Sequence, residues 1–404
     1  MTSIDELLAE GRAFLDASCE PAADSDDPFV WGDGSDRVNI LEEIEPDRAP
    51  VLLAAAKRYA ALRFDAGLGW IDGPVEYGGR GLSSEHAAAF RELEAHYELP
   101  NLSMLTIAIG FIGPALRVHA TPEVGAEYLP KLYRGDLVMC QLFSEPNAGS
   151  DLAAAATRAV RDGDEWVVNG QKVWTSSAHV ADLALAVCRT DPDVPKHQGL
   201  TTFLVDMHAP GVEVRPLRQM TGTAGFNEVF LTDVRVPDSH RVGEVNAGFG
   251  VILTTLGNER TIATRARSAG GAIGQFERLL GVVDAFGDRA DPQQRQRLAQ
   301  LYIGSRMREL LVERWRGALR PGETPGPEMS VLKLHGCRYN AELVGMLTEV
   351  LGPRLAADTG EWGSFAWTEY VLSTPGARIG GGTEEIVRNT VGEKVLGLPK
   401  EPRA

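Results

Sequence analysis

At 404 residues the chain is long enough for two or three domains, each with a core of its own. Its 44% hydrophobic and 24% charged residues are ordinary for a globular protein. The formal net charge of −16 argues against nucleic acid and anionic membrane as partners, but leaves room for a local basic or helix-terminus site for a phosphorylated ligand.

In chain order, the pattern changes character twice. Residues 1–136 read as a helical domain, with helices predicted over 49–64 and 84–97, the second capped by Ser84. A Gly-rich loop over 72–83 separates them, and the acidic piece 21–36 reads as a surface loop. Residues 137–243 read as a small β domain. Asp162-Gly163 and Asn169-Gly170 sit between short runs at 157–160, 166–168 and 172–174, where both dipeptides suit tight hairpin turns. Further strands are predicted at 184–188, 202–206, 212–217 and 228–230, and Pro237 closes the series. Residues 244–404 return to helical spacing: Ile252, Leu256, Ala263 and Ala266 line one stripe, and three more helices are predicted over 292–319, 328–351 and 384–396. The fold class expected is therefore α+β and multidomain: a helical domain, a β-barrel-like domain and a four-helix bundle.

Glu259 falls on the apolar stripe of the first of these helices. A carboxylate facing a bundle core is costly unless paired or protonated. It is a general base tuned by burial, a partly exposed Glu, or half of an ion pair with Arg260 or Arg265. Gly380-Gly381-Gly382-Thr383 precedes the last helix, which Thr383 is placed to cap; the free amides there suit a phosphate or a flavin edge, or the loop is a simple cap. Residues 144–151, SEPNAGSD, form a loop of small hydroxyl residues at the change from helix to strand. Trp174-Thr175-Ser176-Ser177 offers an aromatic plane beside hydroxyl donors. Either is also compatible with ordinary turn chemistry.

Other chemistries lack their signatures. Cys19, Cys140, Cys188 and Cys337 form no Cys-x-x-Cys pair, and the histidines, including His119 and His335, show no His-Glu-x-x-His spacing, so neither a metal nor a disulfide framework is expected. No Gly-x-Ser-x-Gly elbow is present, and no Gly-x-Gly-x-x-Gly follows a strand. The acidic start MTSIDELLAEG does not read as a signal peptide, and no window reaches the ~18 apolar residues of a membrane helix, so a cytoplasmic protein without membrane insertion is expected.

Taken together these segments resemble the acyl-CoA dehydrogenase family. SEPNAGSDLA from Ser144 and NGQKVWTSSA from Asn169 are similar to its two flavin motifs. GFNEVFLTDVRVP from Gly225 and GGTEEIVRNTVGEKVLG from Gly381 are similar to its third landmark and its carboxy-terminal motif. The resemblance implies FAD between the β domain and the bundle, contacted by Gln141, Phe143, Ser144, Ser150, Trp174 and Ser176, with Thr383 and Glu385 helping from the last motif. It implies an acyl-CoA substrate met by Ser150, Arg260 and Gly381. A base removes the α proton while hydride leaves the β carbon for the flavin, and hydrogen bonds to the thioester carbonyl hold the developing charge.

Two positions depart from the family pattern. Many members carry the catalytic Glu immediately before the Gly-Thr of the last motif; that position is Gly381 here. A smaller set takes the base from an earlier helix, just before an Arg, and Glu259-Arg260 matches that set. Many members also carry Arg-x-x-Phe-Gly, whose Arg holds the FAD of a neighbouring subunit; Phe286-Gly287 is kept but Val283 stands at the Arg position. A Val does not do that work, which points to a homo-oligomer that grips FAD differently or to a heterotetramer with a paralogous subunit. Three functions follow: a dehydrogenase using Glu259, with an electron-transferring flavoprotein as acceptor; a flavin oxidase or monooxygenase on the same fold; or a non-catalytic partner subunit. Gly381 would leave room for branched or ring-bearing acyl groups.

Overall fold

The computed structural model describes residues 2–22, 30–38, 44, 48–269, 272–318 and 326–400, and leaves the side chains of 260–274 and 316–318 outside that description. The chain forms two compact units, one of Met1–Asp24 with Glu43–Glu259, the other of Ser25–Glu42 with Arg260–Ala404.

The first unit opens with α1 (Ile4–Ser18), started by a reciprocal capping box between Ser3 and Glu6. α2 (Ala49–Asp65) begins with Pro50 in its first turn, where the missing N–H costs nothing. α3 (Ser84–Glu94) lies against α1, and Phe90 and Leu93 pack with Leu7 and Leu15. The cap residue of α3 is Ser83 rather than the expected Ser84, and its hydroxyl meets His86 instead of the helix backbone. α4 (Ser103–Thr106), a π-turn over Ile107–Ile112, α5 (Gly113–His119) and α6 (Pro122–Arg134) complete the helical part.

Eight strands follow: β1 (Met139–Leu142), β2 (Arg158–Asp162), β3 (Glu165–Ser176), β4 (Leu183–Arg189), β5 (Leu200–Asp206), β6 (Val212–Leu217), β7 (Phe226–Pro237) and β8 (Arg241–Val242). They form one mixed sheet in the order β6-β7-β3-β2-β4-β5-β8, with β1 parallel to β4. β4 is buried on both faces, so it reads as a continuous apolar run. Leu183, Leu185 and Val187 join the core that includes Leu129 and Leu132 of α6, while Ala184, Ala186 and Cys188 join Trp166, Phe203 and Val229 on the other side.

The Asp162-Gly163 turn is present, with Gly163 at φ 67 between β2 and β3. The Asn169-Gly170 turn is not. Both residues lie inside β3, at a register shift against β7 between Val168 and Gly170. The Asn169 side chain bridges to Asp233, donating from Nδ2 to Oδ1 and accepting from the Asp233 amide. A Cβ on Gly170 would stand 2.7 Å from Thr157 Cα. The dipeptide therefore marks a bulge and a close backbone approach, the other meaning of Gly in a strand.

α7 (Gly248–Ala269) begins in the first unit, where Val251 and Ile252 enter the core shared with Phe143 and Ala148. The second unit is helical. α8 (Ala272–Phe286), α9 (Pro292–Ala318), α10 (Ser330–Leu351) and α11 (Trp367–Ile379) build one core, with Leu279, Val282 and Val283 facing Leu301, Leu343, Met346, Leu347, Trp367 and Tyr370. α8 and α11 escape the sequence reading; α11 carries Pro375 inside, a residue normally read as a stop. α12 (Glu384–Thr390) and a π-turn over Val391–Val395 end the described helices. Residues 30–38 are more than a surface loop: Trp31 meets Trp362 edge to face at 4.7 Å, Gly363 donates to the Asp36 carboxylate at 3.0 Å, and Val38 is buried in the bundle core.

Candidate active site

In the first unit the candidate residues gather where β1 leaves the sheet. Gln141 lies in β1, and its Nε2 is buried without an acceptor among the described residues. Phe143 is buried in the core, and Ser144 follows it at the rim. Glu145 and Ala148 exchange both backbone hydrogen bonds at 3.0 Å, closing the tight turn over Pro146-Asn147. Ser150 is exposed at the end of that loop. The Val173 amide donates to Ser144 O at 2.9 Å, which ties this loop to β3 one residue before Trp174.

β3 is bulged there too, between Lys172 and Thr175. Lys172 and Val173 are consecutively buried, which breaks the alternation of a regular strand and turns Trp174 out. Trp174 takes φ 60 and is 59% exposed, with Phe226 edge to face at 6.0 Å. A large aromatic held left-handed and facing water costs energy with no folding return, a pattern that clusters at ligand sites. Ser176, half-buried, ends the strand opposite Phe226. An orphaned amide donor, an aromatic plane and small hydroxyls fit the edge and face of a flavin.

Under the loop sits a polar cluster that the sequence reading missed. Lys172 is wholly buried and donates to Phe143 O at 3.1 Å, Val187 O at 2.7 Å and Glu145 Oε1 at 2.8 Å. Glu145 also accepts from the Ala156 amide at 2.7 Å and the Thr157 amide at 2.8 Å. Burial works to raise the Glu145 carboxyl, but the Lys172 charge and these hydrogen bonds outweigh it and hold it below the usual carboxylate range. Burial lowers the Lys172 ammonium, with Glu145 acting against it. The available signal was period-2: Trp166, Val168, Gly170 and Lys172 fall on one phase, which puts a charge on the inward face.

Glu259 lies on α7, half-buried and on the same face as buried Ile252 and Thr255. Leu256 of the predicted stripe packs against the core, while the side chains of Ala263, Ala266 and Arg260 lie outside what is described.

The second unit holds the remaining candidates. Gly381 and Gly382 take φ 67 and 93, a conformation that favours glycine. Lys333 of α10 reaches this loop and donates to the carbonyls of Gly380 and Gly382. Thr383 caps α12 as expected, accepting from the Ile386 amide at 3.3 Å. Glu384 is buried between Arg378 and Arg388, and Glu385 is exposed beside it. Two carboxylates thus already occupy the first turn of α12, where the helix dipole favours negative charge.

Among the described residues, no group of three or more His, Cys, Asp or Glu is placed to hold a metal ion, and no helix is long and apolar enough to cross a membrane. Burial pushes the thiols of Cys140 and Cys188 up to about 12, which makes them poor nucleophiles.

Comparison with known proteins gives a consistent result. Residues 42–136, 140–234 and 246–396 match the family models described as the N-terminal, middle and C-terminal domains of acyl-CoA dehydrogenase. The chain is 40% identical over 350 residues to acyl-CoA dehydrogenase FadE34 of Mycobacterium tuberculosis, covering 86% of this chain but only 47% of that protein. It is 38% identical to acyl-CoA dehydrogenase IpdE1 of the same organism, covering 83% of this chain and 85% of the relative. Among solved structures it resembles a Tcur3481-Tcur3483 steroid ACAD, with a TM-score of 0.72 and 28% identity over 98% of both chains. It also resembles the ChsE4-ChsE5 complex of Mycobacterium tuberculosis, with a TM-score of 0.70 and 26% identity over 100% of this chain and 99% of that one.

Proposed function

This chain belongs to the acyl-CoA dehydrogenase family of oxidoreductases, and from that premise we propose that it oxidises an acyl-CoA thioester between its α and β carbons, with FAD as cofactor and Glu259 as the base. The observation that carries the assignment is paired. A carboxylate stands half-buried on the inner face of α7, while the alternative position for a base, Gly381, has no side chain and takes φ 67.

In this reading the Glu259 carboxylate takes the α proton. The thioester carbonyl accepts hydrogen bonds that strengthen as charge moves onto it, and the Gly381 amide is the chain's donor for that task. FAD, when bound, would supply the acceptor for the hydride that leaves the β carbon. Trp174 would offer its exposed aromatic face to the cofactor, and Gln141, Ser144 and Ser176 would hold its polar edge, with Phe143 beside them. Ser150 faces the cofactor phosphates or the CoA portion. Thr383 and Glu385, and Arg260 next to the base in sequence, are the further residues to which the resemblance gives cofactor or substrate roles. The lack of a side chain at Gly381, together with the likeness to a steroid ACAD, favours branched or ring-bearing acyl groups, with an electron-transferring flavoprotein as acceptor and the cytoplasm as location.

The test is an anaerobic titration of the purified protein with straight, branched and ring-bearing acyl-CoAs, with Glu259→Gln as control. The wild type is expected to carry FAD that a thioester bleaches. The variant is expected to keep FAD and to be reduced on the order of 10²–10⁴ times more slowly, the usual contribution of a positioned base. FAD that no thioester reduces, or equal rates in both proteins, overturns the assignment. Oxygen uptake without an acceptor would point to an oxidase.

A second reading is that the chain works as one subunit of a heterotetramer, catalytic or not. Val283, at the position where many relatives place an FAD-holding Arg, is buried in the bundle core. Tyr302, Ile303, Met307 and Leu310 leave an apolar face of α9 exposed, the kind of surface that partners cover. Two structural neighbours are described as pairs of different chains. Co-expression with a paralogue, followed by mass measurement and FAD content, separates the two states.

A further inference from the structure

Lys172 is not among the residues assigned to cofactor or substrate, yet it is the most deeply placed charge beside the site, with 0% exposure. Its three acceptors, Phe143 O, Val187 O and Glu145 Oε1, use all three donors of an ammonium group. Through Glu145 the same cluster grips the Ala156 and Thr157 amides, so one cation joins the end of β1, the middle of β4 and the start of β2. Burying such a pair is a poor way to gain stability, since well-packed apolar side chains often do as well or better. What it supplies is geometry.

The decisive detail is the Phe143–Ser144 peptide. In a trans peptide the C=O and N–H point in opposite directions. Drawing Phe143 O down onto Lys172 therefore turns the Ser144 N–H away from the core. That N–H meets no acceptor among the described residues, whereas Ser144 O is held by the Val173 amide at 2.9 Å. An ammonium on the carbonyl also polarises the peptide and makes its N–H a stronger donor. We infer that the Lys172–Glu145 pair is a positioning device, which fixes the aim of the Ser144 amide and the SEPNAGSD loop before any cofactor arrives. The inference rests on the FAD assignment above and deepens it: the cofactor edge at Ser144 is read by a preset backbone donor, and Lys172 acts through that donor without touching the ligand.

The test compares wild type with the double variant Lys172→Met/Glu145→Gln, which removes both charges together and leaves no lone buried ion. The expected result is a variant that keeps its far-ultraviolet circular dichroism and cooperative melting but binds FAD about tenfold more weakly or worse, a loss of about 1.4 kcal/mol, with a shifted flavin absorption band. A folded variant with unchanged FAD affinity and spectrum overturns the inference. Amide hydrogen exchange of the wild type stripped of FAD gives an arm that needs no variant. The Glu145, Ala148 and Val173 amides, whose hydrogen bonds close the loop and tie it to β3, are expected to exchange slowly without FAD; free exchange at these three until FAD is added overturns the inference even if the double variant fails to fold. A wild type that never takes up FAD sinks the reading of the previous section instead, and the exchange arm still decides this one.

Discussion

Single residues in this chain repeatedly carry more than their local propensity suggests. Gly170 looks like half of a hairpin turn, yet it lies mid-strand because an added Cβ would stand 2.4 Å from Thr157 Oγ1 and 2.7 Å from Thr157 Cα. Gly170→Ala is therefore expected to cost about 1–3 kcal/mol, the range for forcing atoms into a filled site, read as a lower urea midpoint with unchanged slope. An unchanged midpoint would mean that β2 and β3 can part at no cost. Trp174 illustrates the same point from the other side: the sequence places an aromatic beside hydroxyls, but its left-handed backbone and its exposure follow from the bulge at Lys172.

At the scale of elements, α8 decides how the missing Arg is understood. Phe276, Leu279, Val282 and Val283 repeat at helical spacing and all face the bundle core, with Val283 1% exposed. Phe286, one turn on, is covered by the Arg354 guanidinium at 4.7 Å. Val283 is thus part of the packing, and restoring the family residue there is expected to harm the protein. Val283→Arg should lower stability on the order of 3–5 kcal/mol, the scale of an uncompensated buried charge, seen as a fall in Tm without any gain in FAD affinity. A variant that melts like the wild type and holds FAD more tightly would show that α8 can turn this position outward. α10 does the complementary work with Lys333, whose bonds to the Gly380 and Gly382 carbonyls tie the glycine loop to a helix.

For the molecule as a whole, pH should act on folding through groups that burial keeps uncharged and through carboxylates that pairing keeps charged, Glu145 among them. His119, His179 and His335 are all held below their ordinary value of 6.5, first of all by burial. A lowered histidine contributes stability that is complete above the unfolded pKa and is lost as pH falls through the folded one. Glu145 is held below its ordinary 4.5, so its contribution is complete above that value and is lost in stronger acid. Denaturant midpoints are therefore expected to decline as pH falls below 6.5 and to fall more steeply below pH 4.5. Stability that rises on acidification from pH 7 to 5 would contradict this. The acidic net charge works against this decline, because its self-repulsion relaxes as carboxylates are protonated.

The sequence by itself determined the class of fold and the position of most elements. Helical spacing at 49–64 and 292–319, alternation at 212–217 and the cap at Thr383 are local signals, and the structure has α2, α9, β6 and the α12 cap in those places. The loops proposed for the site were legible for the same reason, because glycines, small hydroxyls and a lone aromatic cluster within short windows. Tertiary structure alone decided what depends on partners far along the chain. Asn169-Gly170 is a bulge because Asp233 and Thr157 stand against it. Trp31 belongs to the bundle because Phe286 and Trp362 receive it. Lys172 is buried because Glu145, the carbonyl of Phe143 just past β1 and that of Val187 in β4 complete its coordination. A charge on an inward strand phase is unreadable from its neighbours in sequence: whether it is an error, an ion pair or a device for aiming a loop depends on acceptors that only the folded chain brings to it.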